Sequence, residues 1–321
     1  MKNILLSNKY NGEPYEIIKQ VIPSNMNLLM LDELTEENFI EKVKYADYIL
    51  ASGRIKINNS VLDKASNLKM IQRTGVGLDS IDLDALKSRN IPLYVNKGVN
   101  SKSVAEHTIL LMLAALRNLC TINNNTKNGI WNKQNQGVKT RELSEQTVGI
   151  IGMGHIGQLV AHILKSFGAN VLYFDSNKLD EDTEKQLNIL YADMDTIFKE
   201  SDIISLHCPL TMQNKNLIYK NNIEKMKDGV IIINTARGGL ILENDLIYSL
   251  KNNKVRFACL DVFEEEPIKN AELLNLENVI ITPHIGGVTY DSFYRMMKEA
   301  MHNIEFFDNG CLDEIEKYKY V

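Results

Sequence analysis

Two features of the 321-residue chain combine residue types that could do chemistry. The first is Gly152-Met153-Gly154-His155-Ile156-Gly157, a GxGxxG run that follows the apolar Val148-Gly149-Ile150-Ile151 and opens a helical pattern. In that context the glycines have separate roles: Gly152 makes a tight turn, Gly154 lets the backbone approach a pyrophosphate, and Gly157 lets helix and strand pack closely. The pyrophosphate then meets free N–H groups at the positive end of a helix dipole. Asp175 ends the next apolar run, Val171-Leu172-Tyr173-Phe174. A carboxylate there can accept bonds from both ribose hydroxyls and would repel a 2′-phosphate, so NAD is favoured over NADP. A glycine turn and a solvated aspartate in another α/β fold would present the same residues. Strand, glycines and acid in register favour the dinucleotide.

The second feature is a shared arrangement in three later segments, each an apolar strand followed by polar residues. They are Ile231-Ile232-Ile233-Asn234-Thr235-Ala236-Arg237-Gly238-Gly239, Leu260-Asp261-Val262-Phe263-Glu264-Glu265-Glu266-Pro267 and Ile280-Ile281-Thr282-Pro283-His284-Ile285-Gly286-Gly287. Ligands of open α/β sheets bind at the carboxyl ends of the strands. One arginine, one glutamate and one histidine could therefore converge near a nicotinamide. Taken singly, each has a bland alternative as a surface charge, a solvated acid or a turn.

The elements that would position these residues follow from the apolar pattern. Strands are expected at Ile4 to Leu6, Leu28 to Leu31, Tyr48 to Leu50, Met70 to Gln72 and Leu93 to Val95, with helices at Glu13 to Gln20 and Glu36 to Lys44. Short continuous apolar strands separated by helices indicate a buried parallel sheet. Ser103-Val104-Ala105-Glu106 has the spacing of a capping box and opens a long helix through Ile109 to Leu116, read as crossing between domains. A second series of strands runs from Thr147 to Ile151 through Asn170 to Phe174, Asp202 to Leu206, Val230 to Asn234, Phe257 to Leu260 and Val279 to Ile281. The last helix, Tyr290 to Phe307, has no strand left to feed and is read as returning to the first domain. The fold class is α/β with two doubly wound parallel-sheet domains: a Rossmann NAD-binding domain, residues 101–287, inserted in a flavodoxin-like substrate domain, residues 1–100 and 288–321.

Bulk properties narrow the function classes. A net charge of -5 argues against nucleic acid as a partner. Cys120, Cys208, Cys259 and Cys311 form no CxxC pair, so neither a zinc site nor a disulfide framework is indicated, and no metal is expected. The N-terminus turns polar too soon for a signal peptide, and the longest apolar run is short of the ~20 residues that span a bilayer. A cytoplasmic protein without membrane contact is expected.

Taken together, these motifs closely resemble the D-isomer-specific 2-hydroxyacid dehydrogenase family, which includes phosphoglycerate dehydrogenase, glyoxylate/hydroxypyruvate reductase and D-lactate dehydrogenase. The resemblance covers nearly the whole chain. It takes in Arg73-Thr74-Gly75-Val76-Gly77-Leu78-Asp79, Asn100-Ser101-Lys102-Ser103-Val104-Ala105-Glu106-His107-Thr108 and Ser205-Leu206-His207-Cys208-Pro209-Leu210-Thr211, besides the segments above. It implies an NAD-dependent enzyme moving a hydride between NAD(H) and C2 of a small D-2-hydroxy or 2-oxo acid, and a homodimer with its contact on the helix near Ser103 to Leu119.

In that chemistry His284 is the acid–base group, since charge builds on the carbonyl oxygen. Glu266 holds the histidine in its acid form and fixes its tautomer. Arg237 grips the substrate carboxylate with a planar fork of donors. The resemblance further implies cofactor contacts at His155, Ile156, Asp175, Cys208, Pro209, Thr235, Ala236, Asp261, Gly286 and Gly287, in addition to the three glycines. Substrate contacts fall on Ser52, Gly53, Gly75, Val76 and Gly77. Cys208 has no evident base and is not read as a nucleophile; His107 is read as structural.

The resemblance leaves the substrate open. A phosphoglycerate dehydrogenase would carry an arginine where this chain has Ser52, with Arg54 two residues on. The chain also ends at Val321, so the C-terminal regulatory domain of many phosphoglycerate dehydrogenases is not expected. Formate dehydrogenases place an amide where this chain has Glu266. A non-catalytic NAD(H)-sensing protein of the same fold, like the related corepressors, would carry long flanking tails, which are not expected here.

Overall fold

Twelve short strands carry the architecture, most of them apolar on both faces. The computed structural model describes residues 1–321. The chain divides into two units, Met1–Asn100 with Val288–Val321, and Ser101–Gly287.

In the first unit β1 (Lys2–Leu6), β2 (Met26–Leu29), β3 (Tyr48–Ala51), β4 (Met70–Arg73) and β5 (Leu93–Val95) form a parallel sheet in the order β2-β1-β3-β4-β5. This is the flavodoxin-like order. Alternate residues of a strand face opposite sides. Ile4, Leu6, Tyr48, Leu50 and Met70 therefore pack with Met297, Ala300, Met301 and Ile304 of helix Tyr290–Asp308. Leu5, Ile49, Ile71 and Leu93 pack on the other face with Phe39, Val61 and Leu86. A buried polar trio sets the register of the long helix. Gln72 Nε2 donates to Asn96 Oδ1 at 2.9 Å, Asn303 Nδ2 to Gln72 Oε1 at 3.2 Å, and Asn96 Nδ2 to the Met296 carbonyl at 2.8 Å.

The second unit contains β6 (Thr147–Ile151), β7 (Asn170–Phe174), β8 (Leu190–Tyr191), β9 (Ile203–Leu206), β10 (Val230–Asn234), β11 (Val255–Leu260) and β12 (Val279–Ile281). Their order is β12-β11-β10-β9-β6-β7-β8, all parallel. This is the dinucleotide-fold order with one further strand, and its direction reverses between β6 and β9. Val148, Ile150, Ile203, Ile231 and Ile233 face helices Ser101–Leu116 and His155–Phe167. Ile151, Ile204, Leu206, Ile232 and Leu260 face the helices on the opposite side.

The observed elements follow the apolar pattern closely, with β2 at Met26–Leu29 two residues earlier than expected and two further differences. The edge strand β8 has two exposed residues and no apolar run to announce it. The capping box is not formed. The helix begins at Ser101, so Ser103 lies within its first turn, and its buried hydroxyl donates to the Gly286 carbonyl at 2.8 Å. Local spacing suited a cap, but the tertiary partner takes the hydroxyl. No single helix is long and apolar enough to cross a membrane.

Helix Tyr290–Asp308 ends on an acid, the sign its dipole disfavours. Two donors compensate: Tyr48 Oη donates to Asp308 Oδ1 at 2.6 Å and Lys2 Nζ at 2.9 Å. The Tyr48 hydrogen bond foremost, with Lys2, holds the Asp308 carboxyl below its ordinary value. Such a group stabilises the fold above its unfolded pKa of about 3.9, and the contribution is lost as pH falls through the lower folded value. Asp308→Asn should cost about 1.5–3 kcal/mol near neutrality and lose less further stability than the native chain on acidification. Urea melts at neutral and acid pH test this; equal acid-side losses would remove Asp308 from the account.

Candidate active site

The glycine-rich turn sits at the reversal point of the seven-stranded sheet. Gly152 follows β6 with φ +99°, and its N–H donates to the Phe174 carbonyl at 2.8 Å. A Cβ on Gly152 would lie 2.5 Å from the backbone nitrogen of Cys208, beyond the end of β9. Only glycine permits this approach of the two strand ends. A Cβ on Gly157 would lie 2.2 Å from the Gly152 carbonyl oxygen, whereas one on Gly154 would meet nothing within 4 Å. The turn is thus closed on the protein side and open at Gly154. Gly154 is also the N-cap of helix His155–Phe167 and offers no side-chain cap. The first N–H groups of this 13-residue helix are left for an anion.

Asp175 follows β7 directly. Its Oδ2 accepts from Met153 N at 2.6 Å and its Oδ1 from Asn177 N at 2.8 Å, so the acid also shapes the glycine turn. His155 is exposed at the helix start, while the Ile156 side chain packs on the core. Any contact of Ile156 with a ligand's phosphate would thus come from its backbone. Cys208 is half-buried and Pro209 exposed after β9. Burial pushes the Cys208 thiol up to about 11, which keeps it protonated and inert as a nucleophile near neutrality. Burial likewise pushes His207 down to about 4, and its Nε2 is 2.8 Å from Ser205 Oγ. Thr235 is buried after β10 with its hydroxyl 3.0 Å from that of Thr108. Ala236 N donates to Asn234 Oδ1 at 3.0 Å.

The Arg–Glu–His residues all lie in the second unit. Arg237 begins the turn Gly238–Leu240 after β10, and its Nη1 donates to the Ala236 carbonyl at 2.7 Å. His284 Nδ1 lies 2.8 Å from Glu266 Oε2. An ionised carboxylate only accepts, so Nδ1 carries the proton and Nε2 is left for another partner. His284 has φ +56°, a left-handed conformation that costs a residue with a Cβ about 1–2 kcal/mol.

Asp261 holds that conformation. It is 2 % exposed, and its carboxylate accepts from Thr282 Oγ1 (2.6 Å), Ile285 N (2.9 Å) and Gly286 N (2.8 Å). Burial would raise this carboxyl, but hydrogen bonds from His107, Thr282, Gly286 and Ile285 outweigh it and leave the group below its ordinary value. Thr282 gives its proton to Asp261, so it accepts from His107 Nε2 at 3.0 Å. His107, Thr282 and Asp261 thus brace the loop from Thr282 to Gly287 on both sides of His284. A Cβ at Gly286 would crowd both Asp261 Oδ2 (2.9 Å) and His107 Cδ2 (3.2 Å).

The proposed substrate contacts lie at strand ends of the first unit. Ser52 N donates to Ser7 Oγ at 2.8 Å after β3. The N–H groups of Gly75, Val76 and Gly77, after β4, bond to no group within the chain, and Val76 is exposed. Arg73 organises these loops. Its Nε donates to the Gly77 carbonyl (2.7 Å) and its Nη1 to the Ala51 carbonyl (2.9 Å), and a Cβ on Gly53 would meet its Nη2 at 2.7 Å. Sequence reading noted Arg73 only as part of a motif; its place at the end of β4 was the available signal.

Comparison with known proteins agrees with this geometry. The family described as "D-isomer specific 2-hydroxyacid dehydrogenase, NAD binding domain" matches residues 109–286. The chain is 39% identical over 276 residues to a hydroxypyruvate reductase of Thermotoga maritima, covering 85% of this chain and 88% of that protein. It is 39% identical over 292 residues to a D-3-phosphoglycerate dehydrogenase of Methanocaldococcus jannaschii, covering 91% of this chain but 55% of that protein. The crystal structure of D-lactate dehydrogenase from Aquifex aeolicus, complexed with NAD and lactic acid, superposes with a TM-score of 0.87 at 32% identity. The match spans 100% of this chain and 99% of that one.

The glycines separate packing from binding. Gly154→Ala should fold with native stability yet weaken NADH binding at least roughly tenfold, because its Cβ enters only the open side, where a turn of this pattern is expected to take the pyrophosphate. Gly157→Ala should lose stability as well. Thermal melts and NADH fluorescence titration of both variants measure this; native affinity in Gly154→Ala would place the pyrophosphate elsewhere.

Proposed function

Because the chain belongs to the D-isomer-specific 2-hydroxyacid dehydrogenase family and is an NAD-dependent oxidoreductase of 2-hydroxy and 2-oxo acids, we propose that Arg237, Glu266 and His284 are its catalytic set. The observation that carries the assignment is the 2.8 Å hydrogen bond between His284 Nδ1 and Glu266 Oε2. Bound NAD supplies the hydride chemistry. The protein must bind the substrate carboxylate, neutralise charge on the C2 oxygen and move one proton. His284 Nε2 donates that proton in reduction and accepts it in oxidation. Glu266, accepting from Nδ1, keeps the ring oriented and fixes its tautomer. Arg237 pairs with the carboxylate and polarises the carbonyl. His155, Ile156, Asp175, Cys208, Pro209, Thr235, Ala236, Asp261, Gly286 and Gly287, with the three glycines, line the NAD site. Ser52, Gly53 and the N–H groups of Gly75, Val76 and Gly77 contact the substrate.

A short 2-oxo acid of the glyoxylate or hydroxypyruvate type is the substrate favoured here. The hydroxypyruvate reductase relative is matched over most of its own length, and Ser52 stands where an arginine would serve a phosphate. Arg73, packed against Gly53, and the exposed Arg54 favour a phosphorylated acid as the second reading. NADH oxidation across glyoxylate, hydroxypyruvate, pyruvate, 2-oxoisocaproate and phosphohydroxypyruvate decides between them. A rate with none of these would favour a sensing role. On the preferred substrate, His284→Ala should lower kcat by about 10²–10⁴-fold; near-native turnover would remove His284 from the reaction.

The chain is further proposed to be a cytoplasmic homodimer. Its four free cysteines suit a reducing compartment. Leu110 is exposed on helix Ser101–Leu116, and Leu119, Ile130, Trp131 and Val138 are exposed in the segment that follows, with Trp131 84 % exposed. Large apolar side chains exposed in this way favour a surface covered by a partner. Light scattering should give twice the 36.5 kDa chain mass, and Trp131→Glu with Val138→Glu should shift it towards the monomer. A monomeric native chain would refute the dimer.

A further inference from the structure

We propose that Glu243 is a positioning residue that aims Glu266 at His284, an inference that rests on the catalytic reading of that pair. Glu266 lies between β11 and helix Ala271–Leu274, in a segment without regular structure. Its Oε1 accepts from Phe263 N at 3.2 Å while Oε2 meets His284. The aim of the carboxylate therefore depends on where the Phe263–Glu266 backbone is held.

Glu243, the first residue of helix Glu243–Lys251, reaches that segment at two points. Its Oε1 accepts from Glu264 N at 3.2 Å, and its Oε2 accepts from Asn270 Nδ2 at 3.0 Å. Asn270 in turn caps the next helix, its Oδ1 accepting from Leu273 N at 3.2 Å. One carboxylate thus clasps both ends of the excursion that carries Glu266. An acid in a first helical turn needs no such partner, since the helix dipole alone favours it. Two hydrogen bonds to a separate segment are a tertiary commitment. A cavity of about 420 Å³ lined by Leu242, Asn244, Glu265 and Lys269 adjoins the clasp, so the excursion is not closely packed there. The clasp also joins two parts of the site. Five residues before Glu243, a Cβ on Gly238 would lie 1.9 Å from the Phe263 carbonyl carbon, so the turn after Arg237 rests directly on Phe263–Glu264. Glu243 bonds Glu264 N, the next residue of that contact.

Glu243→Ala and Glu243→Gln test the idea. Glutamine can still accept from Glu264 N, but then presents its amide to the Asn270 donor, so it should restore part of the effect. Hydrogen exchange of residues 262–270 should quicken in Glu243→Ala, with protection of the sheet unchanged and partial recovery in Glu243→Gln. With the preferred oxo acid, kcat should fall about ten- to a hundredfold, the scale of a displaced catalytic group, with KM for NADH unchanged. In a Glu266→Gln background the same Glu243→Ala change should cost less than about twofold, because the two residues act through one interaction. Unaltered exchange in residues 262–270, or equal losses of kcat in both backgrounds, would overturn the proposal. If the native chain reduced no oxo acid, the catalytic reading would fall, and the exchange comparison would still decide whether Glu243 holds the segment.

Discussion

A parallel sheet covered on both faces leaves polar groups few places other than the ends of its strands. Nearly every residue in the candidate site obeys that constraint. Gly152, Asp175, Cys208, Thr235, Asp261 and Thr282 each follow a strand of the seven-stranded sheet within two residues. Because all the strands run the same way, their carboxyl ends share one edge. The first unit follows the same rule, with Ser7 after β1, Ser52 after β3 and Thr74 after β4. Apolar burial stabilises the sheets and, by exclusion, gathers the chemistry.

The edge still has to be shaped, and buried polar groups shape it. Asp261 is the clearest case. A lone buried carboxylate would shed its charge, but three donors surround this one at 2.6–2.9 Å, with His107 behind Thr282. These bonds keep it ionised and offset the left-handed backbone of His284. A flexible surface loop could not sustain that conformation or present the imidazole at a fixed distance from Glu266. The backbone at His284 is therefore held by the buried polar groups around it.

Two cysteines and a histidine near the site show the opposite effect of burial. Cys208 and Cys259 are pushed up and His207 down, each towards its neutral form. Desolvation without a charged partner silences these groups. His284 differs in being side-chain exposed and paired with a carboxylate. Position and partner, more than residue type, set His284 apart from these inert neighbours.

Much of this was legible in the amino-acid order. Apolar runs placed eleven of the twelve strands, because burial on both faces leaves a strand few polar residues; β8, exposed and two residues long, left no such trace. Gly152, Gly154 and Gly157 were readable because the absence of a side chain is itself the requirement. Arg237, Glu266 and His284 were nominated by type and by their place after strands. The sequence could not tell which partner each polar group would find. Ser103 matched a helix cap by local spacing and instead bonds Gly286, far along the chain. Arg73 reads in sequence only as part of a motif, whereas its guanidinium bonds the Ala51 and Gly77 carbonyls. Glu243 resembled any acid at a helix start. Hydrophobic periodicity is a local property and survives in one dimension. A hydrogen bond between distant segments depends on two backbones meeting within about 3 Å, and only the folded chain decides that.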